Sequence, residues 1–483
     1  MPVDGSLQLI LPEILLAAAG MVVLAAGLTW KTSRAPGVLA LLGIAAAGAA
    51  LYTNVWGATA ELWSRTVVVD GFANLFKAIF LVVAALTVLV SMEYVQRNGI
   101  PAGEFYALLL LATVGMVFMA GSLNLLTIYL GLECLSLASY AMAGMLRRNP
   151  KSTEASLKYI LIGAISSGVV LFGMSLLFGA AGSTHLTDIA RALAGSGELA
   201  PVAVAGMMFL IAGFGVKMAA VPFHMWAPDV YHGSPAPVAA FLITASEAAA
   251  FGAALRIFMV GLPALADEWR TVFIVLAVIS MTVGNITAIL QTNVRRMLAY
   301  SAVAQAGYIM VGLAVASDRA VSAMLYYLIA YAFMTIGAFA VVILLGRQHP
   351  SEEINDFRGL GQRSPLFALA LTIFLLSLIG IPPTAGFFGK FYLIQAAVGA
   401  NLTWLAVVMM INSVISIPYY WGVVRTMYLR DAEEKAPLSV PAGVRWAAVI
   451  GLAGTLVLGL FPDAVVQIVS AVHVVPTWLW TAF

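Results

Sequence analysis

Four ionisable side chains lie where so apolar a chain should carry none: Glu133, Lys217, Glu247 and Lys390 each sit inside a long hydrophobic run. At mid-membrane depth a Lys, Arg or Asp costs about 2.5–3.5 kcal/mol on insertion scales, so such residues are functional candidates. Desolvation disfavours the charged form of amines and carboxylates alike, which lets buried Lys and Glu exchange protons near neutral pH. Driving one proton against roughly 200 mV costs about 4.6 kcal/mol. An ion pair at about 4 Å in an effective dielectric near 20 is worth about 4 kcal/mol. Making and breaking a Glu133–Lys217 pair on facing helices is thus of the right size to move protons. His224, seven residues after Lys217, is a candidate shuttle if the helix runs on through Pro222, because imidazole titrates near neutrality.

Residues three, four and seven apart share a helix face. On that spacing Tyr129, Glu133, Ser136 and Tyr140 form one stripe, and Ser301, Gln305 and Tyr308 another. Tyr327, Tyr331 and Thr335 form a third, and Ser413, Ser416 and Tyr420 a fourth. One stripe alone reads as interhelical glue. Four stripes beside four ionisable residues predict a hydrated path. Cys134, on a neighbouring face, reads as packing. Lys77 and Arg256 lie nearer the ends of their runs and are expected to snorkel to the interface.

The elements that must hold these groups are helices in a bilayer. The 483 residues are 62% hydrophobic and 10% charged, against about 25% charged in a soluble domain. The mean hydropathy is +1.00. A net charge of +2 without a dense basic cluster excludes nucleic acid as a partner. One cysteine and five histidines exclude an internal disulfide, an iron–sulfur cluster and a Cys/His zinc site. Runs of about 20 apolar residues, enough to span ~30 Å, fall at 8–28, 36–55, 71–95, 104–121, 123–146, 157–182, 200–222, 237–261, 271–290, 297–316, 320–346, 365–398, 402–427 and 442–474. The reading is an all-α polytopic membrane protein with about fourteen transmembrane helices. Loops after odd-numbered runs hold 16 Lys and Arg, and loops after even-numbered runs hold 4. Positive loops stay cytoplasmic, so both termini are expected on the outer side. The first run lacks a basic segment ahead of it and is expected to be a retained helix.

Prolines interrupt two of the lysine-bearing runs. The seventh reads VKMAAVPFHMWAPD and the twelfth GIPPTAGFFGK, placing Pro222 after Lys217, and Pro382 and Pro383 before Lys390. Proline removes a helical donor, and interrupted helices at membrane depth point to an ion site. ASYAMAGM around Tyr140 resembles AGYIMVGL around Tyr308, 168 residues on, and Lys217 and Lys390 are 173 apart. Five helices per copy force the second copy upside down. The expected organisation is residues 1–103 as three N-terminal helices, 104–262 and 263–430 as two inverted five-helix repeats with helices 7 and 12 broken, and 431–483 as a last helix.

Three segments carry a resemblance: PFHMWAPDVYHGSPAPVAAFL from Pro222, RRMLAYSAVAQAGY from Arg295 and GIPPTAGFFGKFYL from Gly380. Together they resemble the N-subunit branch of the antiporter-like membrane proteins of proton-pumping NADH:quinone oxidoreductase, respiratory complex I. The resemblance spans roughly residues 104–430. It implies that Glu133 modulates Lys217, and that protons pass from the cytoplasm along a hydrated axis through position 247 and leave outward by Lys390. It further implies that this chain binds no cofactor itself, and that NADH, FMN, iron–sulfur clusters and quinone are handled by partner subunits. The implied neighbours are the antiporter-like M subunit and the small K, J and A subunits, within the lipid bilayer of a bacterial inner membrane. The chain departs from the family at Glu247, within ITASEAAA, where the family usually carries lysine, and at Gln305, where histidine is common. The axis then reads acid, base, acid, base, with Glu247 expected to hold the proton midway. A cation/proton antiporter or membrane-bound hydrogenase subunit is the alternative, set apart by the DVYHGSPAPV segment.

Overall fold

The computed structural model describes residues 3–30, 34–194, 200–349, 351–432 and 438–475. Among these, twelve helices are long and apolar enough to cross a membrane, and two more apolar helices, Pro201–Lys217 and Pro365–Ile379, are shorter. The count of about fourteen therefore divides at the seventh and twelfth runs. One helix ends at Lys217 and helix resumes at Ala227–Gly233; the other ends at Ile379 and resumes at Ala385–Gly399. The peptide bonds Val221–Pro222 and Pro382–Pro383 lie in these gaps and are both cis. A two-stranded antiparallel hairpin, Ala60–Leu62 with Val67–Val69, is the sheet among the described residues.

Short polar residues start the helices by accepting from their free backbone N–H groups. Asp70 accepts from Ala73 N ahead of the third helix, Gly71–Arg97. Asn124 accepts from Leu126 N and Thr127 N ahead of the fifth, Leu125–Ala143. Asn149, with Pro150 behind it, starts the sixth, Pro150–Ala181. That helix begins seven residues before its apolar run, because the cap and proline, not hydropathy, set its start. Asn293 starts the tenth, Val294–Val315, and Ser317 the eleventh, Asp318–Leu345. The fourteenth run divides into Ala442–Leu460 and Pro462–Ser470, with a proline at the junction.

Asn124 and Asn293 also mark a repeated construction. Leu125 N donates to Thr184 O at 2.9 Å and Leu186 N to Leu123 O at 2.8 Å. Val294 N donates to Glu352 O at 2.9 Å and Ile354 N to Thr292 O at 2.7 Å, so the same two-bond bridge recurs 168 or 169 residues along.

Lys77 and Arg256 do not snorkel. Lys77 is 2% exposed and Arg256 is 0% exposed. Lys77 Nζ lies 2.7 Å from Glu13 Oε1 of the first helix, Leu11–Thr29. Arg256 Nη2 reaches both Asp70 oxygens at 2.6 and 2.7 Å, its Nη1 donates to Val474 O at 2.5 Å, and its guanidinium lies over the Phe72 ring. Neighbouring helices cover these positions, and a partnered buried charge avoids the cost of an isolated one.

Candidate functional site: a buried chain of proton-exchanging groups

The fifth, sixth and seventh helices bring Lys217 to the polar stripe predicted on the fifth. Lys217 Nζ donates to Ser136 Oγ at 2.7 Å and to Tyr140 OH at 3.3 Å, and it lies 5.4 Å from the centre of the Tyr140 ring. Gly163 makes room for the Tyr140 hydroxyl, since a Cβ there would stand 1.9 Å from it. Glu133 does not pair with Lys217. Its carboxylate accepts from Ser167 Oγ of the sixth helix instead, and no Glu133–Lys217 ion pair occurs among the described residues. The expected pair is therefore open in this arrangement, with Lys217 held by hydroxyls one and two turns along the same helix.

Aromatic rings continue from Lys217. Tyr140 meets Tyr159 edge-on at 4.7 Å, Tyr159 stacks on Trp226 at 4.7 Å, and Trp226 meets Tyr231 at 5.5 Å. Trp226 Nε1 also donates to Val216 O at 3.0 Å, bridging the gap in the seventh run. Tyr231, on the half-helix Ala227–Gly233, donates its hydroxyl to Glu247 Oε1 at 2.9 Å. Glu247 is 1% exposed and its Oε2 has no partner among the described residues. Trp226 and Tyr231 escaped the sequence reading because they lie between apolar runs, and Tyr159 because an aromatic ring at the start of the sixth run reads as packing. The DVYHG segment that placed Tyr231 among the quoted motifs was the available signal.

Charges from two sides pin that half-helix. Asp229 Oδ2 accepts from Lys158 Nζ of the sixth helix at 2.6 Å, and Oδ1 from Arg296 Nη1 of the tenth at 2.8 Å. Arg295 Nη2 donates to Tyr231 O at 2.9 Å and to Ser234 O, capping its last carbonyls. Arg295 Nη1 is 3.3 Å from Glu352 in the loop beyond the eleventh helix. Burial pushes the Glu352 carboxyl above its ordinary range, and Arg295 pulls against that rise.

The second half holds Lys390, which is 4% exposed. From Ala385–Gly399 its Nζ reaches back across the gap to Leu378 O at 2.9 Å and Ile379 O at 3.1 Å, the last carbonyls of Pro365–Ile379. It also donates to Ser413 Oγ at 3.2 Å and lies 4.0 Å from the centre of the Tyr308 ring. Gly380, at φ +94°, ends the first half-helix in the left-handed region, and a Cβ there would stand 3.1 Å from Lys390 Cδ. Gln305 Nε2 donates to Leu378 O at 3.0 Å and its Oε1 accepts from Tyr327 OH. Tyr420 contacts Ser301 and lies 3.4 Å from Gln305 Nε2. Three of the four predicted stripes thus meet the two lysines, and the stripe of Tyr327, Tyr331 and Thr335 reaches Gln305 through Tyr327. Asn285 and Asn412, which join Tyr308, Tyr419 and the thirteenth helix, were missed as single polar residues.

Between the halves stands Tyr331, an electrostatic neighbour of both Glu247 and Tyr420. Thr335, one turn on along the eleventh helix, lies beside it. Two further expectations need correction. Lys217 and Lys390 do not occupy matching places: Lys217 precedes its cis-proline by five residues, whereas Lys390 follows Pro383 by seven. The tyrosines beneath them, Tyr140 and Tyr308, do keep the 168-residue spacing. His224 stands half-buried in the first gap, with Nδ1 unpartnered and no hydrogen bond to Lys217 or Glu247.

Residues 122–416 match the family described as NADH:quinone oxidoreductase/Mrp antiporter, TM. The chain is 44% identical over 468 residues to NADH-quinone oxidoreductase subunit N of Trichlorobacter lovleyi, covering 96% of each chain. It is 34% identical to a chain in respiratory complex I of Thermus thermophilus solved with bound aureothin, covering 94% of this chain and 98% of that one at a TM-score of 0.79. It shares its fold with a chain of the Mrp complex from a Dietzia species at a TM-score of 0.86 and 20% identity, covering 100% and 99%. Full-length likeness to subunit N, added to the lysine-bearing interrupted helices, identifies the chain as a member of the NADH-quinone oxidoreductase subunit N family of antiporter-like membrane proteins.

Proposed function

We propose that this chain carries protons from the cytoplasmic to the outer side of a bacterial inner membrane, as the N-type subunit of a proton-pumping NADH:quinone oxidoreductase. Lys217, Glu247 and Lys390 are the proton-holding groups, and Glu133 sets the charge facing Lys217. The Tyr231–Glu247 hydrogen bond carries this reading, because it joins the aromatic chain from Lys217 to the acidic group midway to Lys390. Neutral Glu247 suits its buried position, and Tyr331, an electrostatic neighbour of Glu247 and of the Tyr420 that lies beside Gln305, is the next polar group toward the second half. A water with two to four polar partners would complete that step. His224 stands off this chain, half-buried in the first gap.

The recurring bridge at Asn124 and Asn293 supports two five-helix repeats, 104–262 and 263–430, related by inversion, flanked by helices of 1–103 and 431–483. The 16-to-4 distribution of basic residues supports outer termini. Oxidation of NADH and reduction of quinone belong to partner subunits that hold FMN and iron–sulfur clusters. The M, K, J and A subunits are the neighbours in the membrane. Native electrophoresis of gently solubilised host membranes, with this chain tagged and the gel stained for NADH oxidation, tests the assignment. Comigration with a large NADH-oxidising band supports it. A smaller NADH-inactive assembly contradicts it and directs the work to sodium-linked proton exchange in vesicles.

A further inference from the structure

Where the third, sixth, tenth and fourteenth helices meet at the positively charged end of the bundle, they enclose a cavity of about 310 Å³. Its charged walls are Arg97, Lys151, Arg295 and Arg347 against Glu93 and Glu352, a net charge of +2. Both carboxylates are spoken for, Glu93 by Arg347 at 2.7 Å and Glu352 by Arg295 at 3.3 Å. Lys151 and Arg97 form no ion pair among the described residues; Lys151 acts on Glu352 only from a distance, and Arg97 donates one guanidinium nitrogen to Arg347 O. Arg295 is 6% exposed and its Nε is buried without any acceptor. The chamber therefore presents an excess of positive charge that an anion would balance.

Directly beside it lies a groove of about 210 Å³ that shares Glu93, Pro441 and Val444 with the chamber. Its other walls include Leu41, Leu89, Met92, Ala442 and Trp446, with Arg34 as a further basic residue. Trp446 is exposed on the outside of the bundle, as an aromatic ring at a membrane interface is. A basic chamber opening into an apolar groove matches one molecule with a phosphate at one end and hydrocarbon at the other.

We propose that chamber and groove together bind one anionic phospholipid, its phosphate held by Lys151, Arg97 and Arg295 Nε and an acyl chain lying along Leu41 and Leu89. The polar walls belong to the end of the bundle where basic residues gather, so the lipid comes from that leaflet. Binding here rests on geometry and charge, independently of the proton path, and its failure leaves that path untouched. By joining the third and fourteenth helices to the sixth and tenth, the lipid ties the flanking helices to the repeats.

Native mass spectrometry of the membrane assembly containing this chain, purified and stripped of lipid by detergent, tests the proposal. The probes are phosphatidylglycerol, phosphatidylcholine and inorganic phosphate. We expect phosphatidylglycerol to bind one equivalent that Lys151→Gln weakens about fivefold, the size of one basic contact to an anionic lipid. Ala442→Trp, made at an exposed position lining the groove, should lose the same equivalent without loss of assembly. Equal binding of phosphatidylcholine overturns the charge recognition. Full competition by inorganic phosphate makes the chamber a free-phosphate site and overturns the lipid. Binding unchanged in both variants places the lipid elsewhere and overturns the site. Should Lys151→Gln fail to assemble, Ala442→Trp and the competition on the unaltered assembly decide.

Discussion

Tyr231, on the half-helix that resumes beyond the interruption in the seventh run, donates its hydroxyl to Glu247 of the eighth helix at 2.9 Å, although Lys217 ends the preceding helix ten residues before Ala227. Among the described residues Tyr231 is the one donor to a carboxyl whose other oxygen has none. Tyr231→Phe leaves both oxygens buried and unpartnered, at a cost of about 1–3 kcal/mol. We expect proton pumping per NADH oxidised to fall roughly tenfold with the assembly intact on a native gel. Pumping at the parent level would show that Tyr231 only packs.

Lys217 rests on Ser136 and Tyr140 and not on Glu133. Removing the nearer acceptor with Ser136→Ala takes away a hydrogen bond to a charged group, about 1.5–3 kcal/mol. It should slow pumping about tenfold or more, whereas Ser167→Ala, which frees Glu133 to turn toward Lys217, should change pumping less. The reverse order, measured in reconstituted vesicles, would return Glu133 to the role of direct partner.

The two buried ion pairs give a stability prediction. Arg256→Met strands Asp70, and Lys77→Met strands Glu13, each at about 3–5 kcal/mol. The double substitution Glu13→Leu with Lys77→Met removes both charges and should recover most of that loss. Thermal denaturation of the purified assembly reads all three. A double variant no better than Lys77→Met would mean the pair contributes through packing.

Outside the bilayer, Asp188 of the short helix Leu186–Ala194 holds Arg65 of the hairpin at 2.9 Å. Burial raises the Asp188 carboxyl, but Arg65 and Ser183 outweigh it and hold it below the ordinary carboxylate range. A depressed carboxylate stabilises the fold above its unfolded pKa, near 3.9, and loses that contribution as pH falls through its folded value. Asp188→Asn should therefore lower the thermal midpoint at neutral pH, with the difference from the parent closing below about pH 4. A difference that widens on acidification would refute this sign.

The helices and the ionisable residues were legible because both follow from the cost of burying charge in hydrocarbon. The polar stripes at Ser136, Tyr140, Gln305, Tyr308, Ser413 and Tyr420 were legible from 3.6-residue spacing alone. Tyr159, Trp226 and Tyr231 were not, since an aromatic residue fits an apolar face equally well, and its stacking partner lies on another helix. Lys77 and Arg256 misled for a related reason. Distance from a helix end measures depth along the axis, and nothing in a single helix tells whether neighbours cover its flank. Asp70 and Glu13, each at the start of a helix, were the partners to look for. Matching Lys217 to Lys390 failed because sequence offset does not reveal on which side of a break a residue falls.

The most direct test is Glu247→Gln in the assembled complex, reconstituted in sealed vesicles with NADH oxidation and proton translocation followed together. Glutamine keeps the size and can still meet the Tyr231 hydroxyl, but it cannot exchange a proton. The account predicts that protons moved per NADH fall while assembly and the hydrogen-bonded geometry persist. Parent-level pumping by Glu247→Gln would contradict it, and would mean that protons bypass the centre of this chain.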